Sequence, residues 1–284
     1  MRKSKQRLSQ HFLTDPDSIR RIVDAAEIQQ EDLVVEVGPG RGALTELLVE
    51  GPGNLIGVEL DSGFCDCLRS IFGGRLRVIN EDVLKVDFRS LLPNNSSESM
   101  ILVGNLPYHA SGAIIKKILE SREVLRRAVI MVQKEVARRM TAPPGGKDYG
   151  ILSVAAQLHS LPVLLFDVPP TSFDPEPQVY SSVVRMDFDG EPRFRVRDEH
   201  MMFKVLRRVF TQRRKMIKNT LVSFFENDPE ACRRALLLAG VNPNDRPETV
   251  SIPQYDSICG SLADFRGPRG GQGDSAELHT GSAC

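Results

Sequence analysis

Leu33-Val34-Val35-Glu36-Val37-Gly38-Pro39-Gly40-Arg41-Gly42 is the stretch on which the fold turns. A short apolar run closed by a glycine turn reads as a buried strand, and Ala43-Leu44-Thr45-Glu46-Leu47-Leu48 behind it has a helical pattern. Strand, turn and helix in that order open a doubly wound α/β sheet. The glycines permit the tight turn and let the backbone approach a ligand closely. Their spacing, Gly-x-Gly-x-Gly, lacks the third glycine of the dinucleotide pattern Gly-x-Gly-x-x-Gly.

Working outward, a second apolar strand, Leu55-Ile56-Gly57-Val58, ends in Glu59-Leu60-Asp61, with Glu59 standing 21 residues after Gly38. A carboxylate there can accept hydrogen bonds from both ribose hydroxyls of NAD or of S-adenosylmethionine. The third strand, Leu76-Arg77-Val78-Ile79-Asn80, runs into Glu81-Asp82, and an acid at that end can accept from an adenine amino group. A fourth apolar run, Met100-Ile101-Leu102-Val103, leads into Gly104-Asn105-Leu106-Pro107-Tyr108. Open α/β sheets bind their ligands at the carboxyl ends of such strands.

The last pentapeptide suits methylation of an exocyclic amine on a flat base. Such an amine is a poor nucleophile because its lone pair is delocalised into the ring. Acceptors around its N–H bonds favour the pyramidal form, and the Asn105 side-chain oxygen and a backbone carbonyl near Leu106 are the candidates. Pro107 biases Leu106 towards an extended conformation, and Tyr108 can stack on the base. His109, beside the motif, is read as a rim residue rather than a base.

These stretches, together with Ser9-Gln10-His11-Phe12-Leu13, Met131-Val132-Gln133-Lys134-Glu135-Val136, Tyr149-Gly150-Ile151-Leu152-Ser153-Val154, Phe173-Asp174-Pro175-Glu176-Pro177-Gln178-Val179-Tyr180-Ser181, Phe210-Thr211-Gln212-Arg213-Arg214-Lys215 and Arg246-Pro247-Glu248, resemble the bacterial small-subunit ribosomal RNA adenine dimethyltransferase family, the kasugamycin-resistance type. The resemblance covers residues 7–265. It implies a Rossmann-like methyltransferase sheet that uses S-adenosylmethionine to dimethylate N6 of two adjacent adenosines in the 3′-terminal hairpin of small-subunit (16S) ribosomal RNA. It further implies cofactor contacts at His11, Leu13, Gly38, Gly40, Glu59, Asp82 and Asn105, and a catalytic motif at Asn105, Leu106, Pro107 and Tyr108. Phe173 becomes a second wall for the flipped base. His11 stands where the family often has asparagine, Ser9 where it often has glycine, and Tyr180 where aspartate is frequent, a change expected to touch packing.

The chain has 284 residues, 41% of them hydrophobic, enough for one substantial core and a smaller second one. No run of eighteen apolar residues offers a membrane span, and the basic residues 1–7 are not followed by the apolar stretch of a secretory signal. The five cysteines include no C-x-x-C pair and no histidine at metal-ligand spacing, so free thiols, no metal and a cytoplasmic location are expected.

Net charge is zero, but residues 24–66 carry ten acids and one base, while residues 193–218 carry ten bases and two acids. Arg207, Thr211, Arg214, Lys215 and Lys218 recur at helical spacing, which gathers the basic charge on one face, the footprint of a phosphate backbone. Such a run is usually a solvated helix face, but together with the family resemblance it makes Arg213, Arg214, Lys215 and Lys218 candidate RNA contacts.

Periodicity places a helix at 16–26, opened by Thr14 or Asp15, and strands near 33–37, 55–60, 76–80, 100–104, 128–133, 162–168 and 180–188. The last two have only an irregular Pro/Ser-rich segment between them and should form an antiparallel edge. Three parts follow: a catalytic domain over 1–190, a small all-helical RNA-binding domain over 191–265, broken at Asp228-Pro229, Asn242-Pro243 and Ile252-Pro253, and a disordered tail over 266–284. The expected partner is ribosomal RNA in a partly assembled 30S subunit, met by a monomer. A large-subunit adenine methyltransferase of the macrolide-resistance type and a non-enzymatic RNA-binding assembly factor are the competing readings. A DNA adenine methyltransferase would carry an Asp-Pro-Pro-Tyr type motif and a separate recognition domain, and neither is present.

Overall fold

The computed structural model describes residues 11–51, 54–92, 99–189 and 193–266, so the basic segment 1–7, Ser9 and the tail beyond Arg266 lie outside it. The chain divides into two compact units. The first comprises residues up to Pro143 together with Asp148–Arg193; the second takes Pro144–Lys147 and the chain from Phe194 onward.

In the first unit the chain runs β1 (Phe12–Leu13), α1 (Pro16–Ala26), β2 (Leu33–Val37), α2 (Thr45–Leu48), β3 (Asn54–Glu59), α3 (Ser62–Phe72) and β4 (Arg77–Asn80). It continues with β5 (Met100–Asn105), α4 (Ser111–Glu120), β6 (Leu125–Gln133), α5 (Lys134–Thr141), α6 (Ile151–His159), β7 (Leu161–Val168), β8 (Phe173–Asp174) and β9 (Ser181–Asp187). Among the described residues seven strands form one sheet in the order β4-β3-β2-β5-β6-β9-β7. The first five in that order are parallel, and β9 runs antiparallel between β6 and the edge strand β7. The strand order reverses between β2 and β5, which opens a crevice at their carboxyl ends.

Alternation along each strand sends residues to opposite faces, and both faces are covered. Val35, Val37, Met100, Leu102, Ala128 and Ile130 pack with α4 residues on one side; Val34, Ile101, Val103, Val129 and Met131 pack with Ile22 of α1 and Leu68 of α3 on the other. Helix α1 starts at Pro16 with Asp15 as its cap, whose side chain accepts from the Ser18 amide. At the sheet margin Arg127 of β6 binds Glu27, just past α1, and Asp187 of β9.

The second unit contains α7 (Glu199–Thr211), α8 (Ile217–Leu221), α9 (Pro229–Leu238) and α10 (Ile252–Arg266). Met202, Val205, Leu206, Val209, Ile217, Leu221, Leu236, Tyr255 and Ile258 are its buried core. Helix α7 stops at Thr211, and residues 212–216 form a turn in which the Lys215 amide donates to Gln212 O at 2.8 Å. The single basic helix face expected from sequence therefore does not form: Arg207 lies on α7, Arg214 and Lys215 in the turn, and Lys218 on α8. No described helix is long and apolar enough to cross a membrane.

Candidate active site

A cleft of about 950 Å³ lies at the carboxyl ends of the parallel strands of the first unit. That is the size of an enclosed small-molecule site. Its walls include His11, Leu13, Gly38, Gly40, Glu59, Asp82 and the whole Asn105–Tyr108 motif. Four separate strand ends thus deliver to one space the residues picked out along the chain.

The glycine turn after β2 is built around Glu59. Gly40 adopts φ +57°, in the left-handed region that a side chain resists, and its amide donates to Glu59 Oε2 at 3.0 Å. The other carboxylate oxygen accepts from the Asp61 amide at 2.9 Å, and Glu59 is only 5% exposed. Fixed by the backbone, this carboxylate keeps lone pairs for hydroxyl donors. Asn80 clamps the same strand end by donating to Glu59 O and Leu60 O. Asp82 opens the next turn, accepting from the Leu84 amide at 3.0 Å, and Leu60, Leu84 and Phe64 add apolar wall to the cleft.

Sequence alone did not single out Glu36. It is 1% exposed, lines the cleft, and accepts from Thr45 Oγ1 at 2.7 Å. Burial, with Glu59 nearby, pushes its carboxyl up to about 7. The signal available was an acid inside an otherwise apolar strand.

At the end of β5, Gly104 lets two backbones meet: a Cβ there would lie 2.8 Å from Val37 O. The Asn105 amide nitrogen donates to His11 O at 3.2 Å. A carbonyl only accepts, so the nitrogen must face it and Oδ1 is turned elsewhere. Leu106 is buried and its amide donates to Met131 O at 3.0 Å, while the Pro107 carbonyl accepts from the Ala110 amide. The Tyr108 hydroxyl meets Ser181 Oγ at 2.7 Å, so both the ring and the hydroxyl of this residue are held. His11 stands beside it, with ring centroids 5.6 Å apart, and its Nδ1 donates to Pro175 O at 2.7 Å.

Two expectations change. Phe173 is not a wall of the cleft: it is 3% exposed and sits in the core with Leu13 and Ile22, because β8 pairs antiparallel with β1 and turns its ring inward. That pairing, with Arg41 over the Phe12 ring and bonded to Asp174, closes one side of the cleft instead. In the second unit, Arg213 is paired with Glu248 and donates to Gly146 O, and Lys218 donates to Asn244 Oδ1. Both are occupied in holding their own unit together, whereas Arg214 and Lys215 are exposed. Tyr180, expected to affect packing, is 50% exposed.

Among the described residues no three His, Cys, Asp or Glu side chains cluster as a metal site, and Cys65, Cys67, Cys232 and Cys259 are free.

Comparison with known proteins agrees with this geometry. Residues 1–264 match the family described as Ribosomal RNA adenine dimethylase. The chain is 39% identical over 261 residues to Ribosomal RNA small subunit methyltransferase A of Halothermothrix orenii, covering 90% of this chain and 87% of that one. It is 37% identical over 265 residues to the protein of the same name from Geobacillus thermodenitrificans, covering 91% and 90%. Among solved structures, a dimethyladenosine transferase from Plasmodium falciparum superposes with a TM-score of 0.71 at 25% identity over 87% of this chain and 96% of that one. The 23S rRNA methyltransferase ErmE gives 0.69 at 26% identity over 88% and 99%. The chain is a methyl-transferring enzyme and belongs to the ribosomal RNA adenine dimethylase family.

Proposed function

We propose that the protein dimethylates N6 of two adjacent adenosines in the 3′-terminal hairpin of small-subunit ribosomal RNA, using S-adenosylmethionine, and acts as a monomer on a partly assembled small subunit in the cytoplasm. The observation that carries this reading is the Asn105 amide, whose nitrogen is committed to His11 O so that Oδ1 is the acceptor left for a target amine. The 37–39% identity to proteins named Ribosomal RNA small subunit methyltransferase A supports the small-subunit substrate.

The donors and walls of the cleft fit the cofactor: two acids at successive strand ends for ribose and adenine, apolar Leu60 and Leu84 for the ring, and a tight glycine turn. When bound, S-adenosylmethionine supplies an electrophilic methyl group on a positively charged sulfur. Glu59 and Asp82 orient the cofactor, and the 11–14 segment, tied to Ser172 by Thr14 N and Oγ1, borders it. The target adenine leaves its stack at a cost of a few kcal/mol. Its ring stacks on the face of Tyr108 turned away from His11, since 5.6 Å between those two rings leaves no room for a third. Asn105 Oδ1 and the Leu106 carbonyl accept from the amine, raising the nucleophilicity of its nitrogen. In-line placement is the main catalytic task, and after attack the amine proton passes to water.

Tritiated methyl transfer to unmethylated small subunits, followed by mapping of the modified nucleotides, tests the proposal. Label on adenosines of the large subunit alone would select the competing substrate, and no label would leave an RNA-binding role. Glu59→Ala is expected to weaken S-adenosylmethionine binding by ~1.5–3 kcal/mol, because the ribose hydroxyls lose a charged acceptor. Calorimetry showing unchanged affinity in a folded variant would take Glu59 out of the site.

For RNA positioning, the exposed Arg214 and Lys215 are the proposed phosphate contacts, with Arg213 and Lys218 supporting the turn between α7 and α8. Replacing Arg214 and Lys215 by alanine should lower the slope of log K against log salt by ~0.7–0.9 for each phosphate left unneutralised, with the melting temperature unchanged. An unchanged slope would move the RNA surface elsewhere, with residues 1–7 next in line.

A further inference from the structure

We infer that Tyr180, flanked by Lys134 and Arg138, is a stacking platform for a single-stranded RNA base next to the target adenosine; this rests on the reading of the cleft as an RNA adenine methylation site. Tyr180 immediately precedes β9, whose first residue, Ser181, pairs with Gln133 at the carboxyl end of β6. The Asn105–Tyr108 motif emerges at the same sheet edge, since Asn105 pairs with Met131 of that strand. Ser181 also holds the Tyr108 hydroxyl, so the exposed ring is one residue away from the anchor of the cleft tyrosine. Tyr180 thus stands at the end of the sheet where the cleft opens, outside its walls.

Isolated exposed aromatic residues are ordinary on protein surfaces. Tyr180 is not isolated. Its carbonyl accepts from the Lys134 amide at 2.9 Å, and Lys134 Nζ lies 5.4 Å from the ring centroid. Asp167 fixes that ammonium through a 2.5 Å contact and is itself fixed by Ser182 Oγ at 2.6 Å. Arg138 is exposed one turn further along α5, and Val179, the residue before Tyr180, is exposed too. A half-exposed ring beside a held cation, with the exposed Arg138 on the same helix as that cation, is a combination that binds single strands: the base stacks on the ring and Arg138 meets a flanking phosphate. A protein partner would gain less from two cations whose nearest exposed ring is already flanked by charge.

The test uses the full chain and a single-stranded oligoribonucleotide with 2-aminopurine placed beside one adenosine. Binding should quench the 2-aminopurine in wild type and in Tyr180→Phe. Tyr180→Ala should abolish the quenching and raise the KM for RNA about tenfold, the effect of removing one base–aromatic stack. S-adenosylmethionine affinity should be unchanged. Full quenching and an unchanged KM in a folded Tyr180→Ala variant would overturn the platform, as would equal losses in the phenylalanine and alanine variants. The fluorescence reads the platform without turnover, so a protein that binds RNA here yet transfers no methyl group would refute the catalytic reading separately.

Discussion

Asn105→Ala is expected to lose about two to three orders of magnitude in methyl transfer while keeping its affinity for RNA. The magnitude is that of removing one preorganised polar group aimed at charge developing in a transition state. Three features make the side chain preorganised. Its nitrogen is held by His11 O, the following residue is buried and pinned through Met131 O, and the preceding glycine sits against Val37 O. Alanine removes the acceptor without disturbing any of the phosphate contacts proposed for the second unit. Asn105→Asp keeps an oxygen in place but sets a carboxylate oxygen against the His11 carbonyl, so it should rescue little. Single-turnover transfer to unmethylated small subunits is the measurement. A folded alanine variant that retained more than about a tenth of the wild-type rate would show that the amine needs no side-chain acceptor.

The largest structural effect is expected at Arg127. Its side chain is 11% exposed; Nε meets Asp187 Oδ1 at 2.5 Å and Nη1 meets Glu27 Oε2 at 2.7 Å. Glu27 follows α1 with φ +50°, so one guanidinium ties the end of a helix to two strands. Arg127→Ala leaves the 15% exposed Asp187 to Arg185 alone and should cost about 3 kcal/mol. For a unit of this size that lowers the melting temperature by roughly 6–12 °C. Hydrogen bonding and charge from Arg127 hold the Glu27 carboxyl below its ordinary 4.5. A lowered carboxylate stabilises the fold above its unfolded value and loses that contribution as pH falls through the folded one. The gap between wild type and variant should therefore narrow as the pH drops below 4.5. Lys116→Ala, which breaks only the exposed pair with Glu120, is the control and should shift stability by less than about 1 kcal/mol. Equal melting curves for Arg127→Ala and the control would show that the network is only surface charge.

Much of this was legible in the chain because strong periodicity and local punctuation agree. The bounds of α1 and β2 follow from the Asp15 cap, Pro16 and an apolar run closed by glycine, and the structure has them at Pro16–Ala26 and Leu33–Val37. The candidate site residues at strand ends meet in one cleft because a parallel sheet brings those ends together wherever they lie in the sequence. What escaped depends on long-range pairing. The two-residue strands β1 and β8 carry no period and are defined only by pairing across about 160 positions, and that pairing buries Phe173. Helical spacing from Arg207 to Lys218 was broken by the turn at 212–216, which the Glu248 and Asn244 partners stabilise and propensity does not announce. The exposure of Tyr180 likewise depends on which side of the β9 entry the chain turns.

Gly104 touching Val37 O gives the cleft a property of a machined gauge. The proposed cofactor turn and base-binding turn grow from adjacent parallel strands, β2 and β5, which at Gly104 run too close for a side chain. In the proposed arrangement methyl donor and acceptor are therefore referenced to one shared datum. A wedge as small as one methyl group at 104 would spread that datum, and a misplacement of about 1 Å is enough to cost a hundredfold in rate.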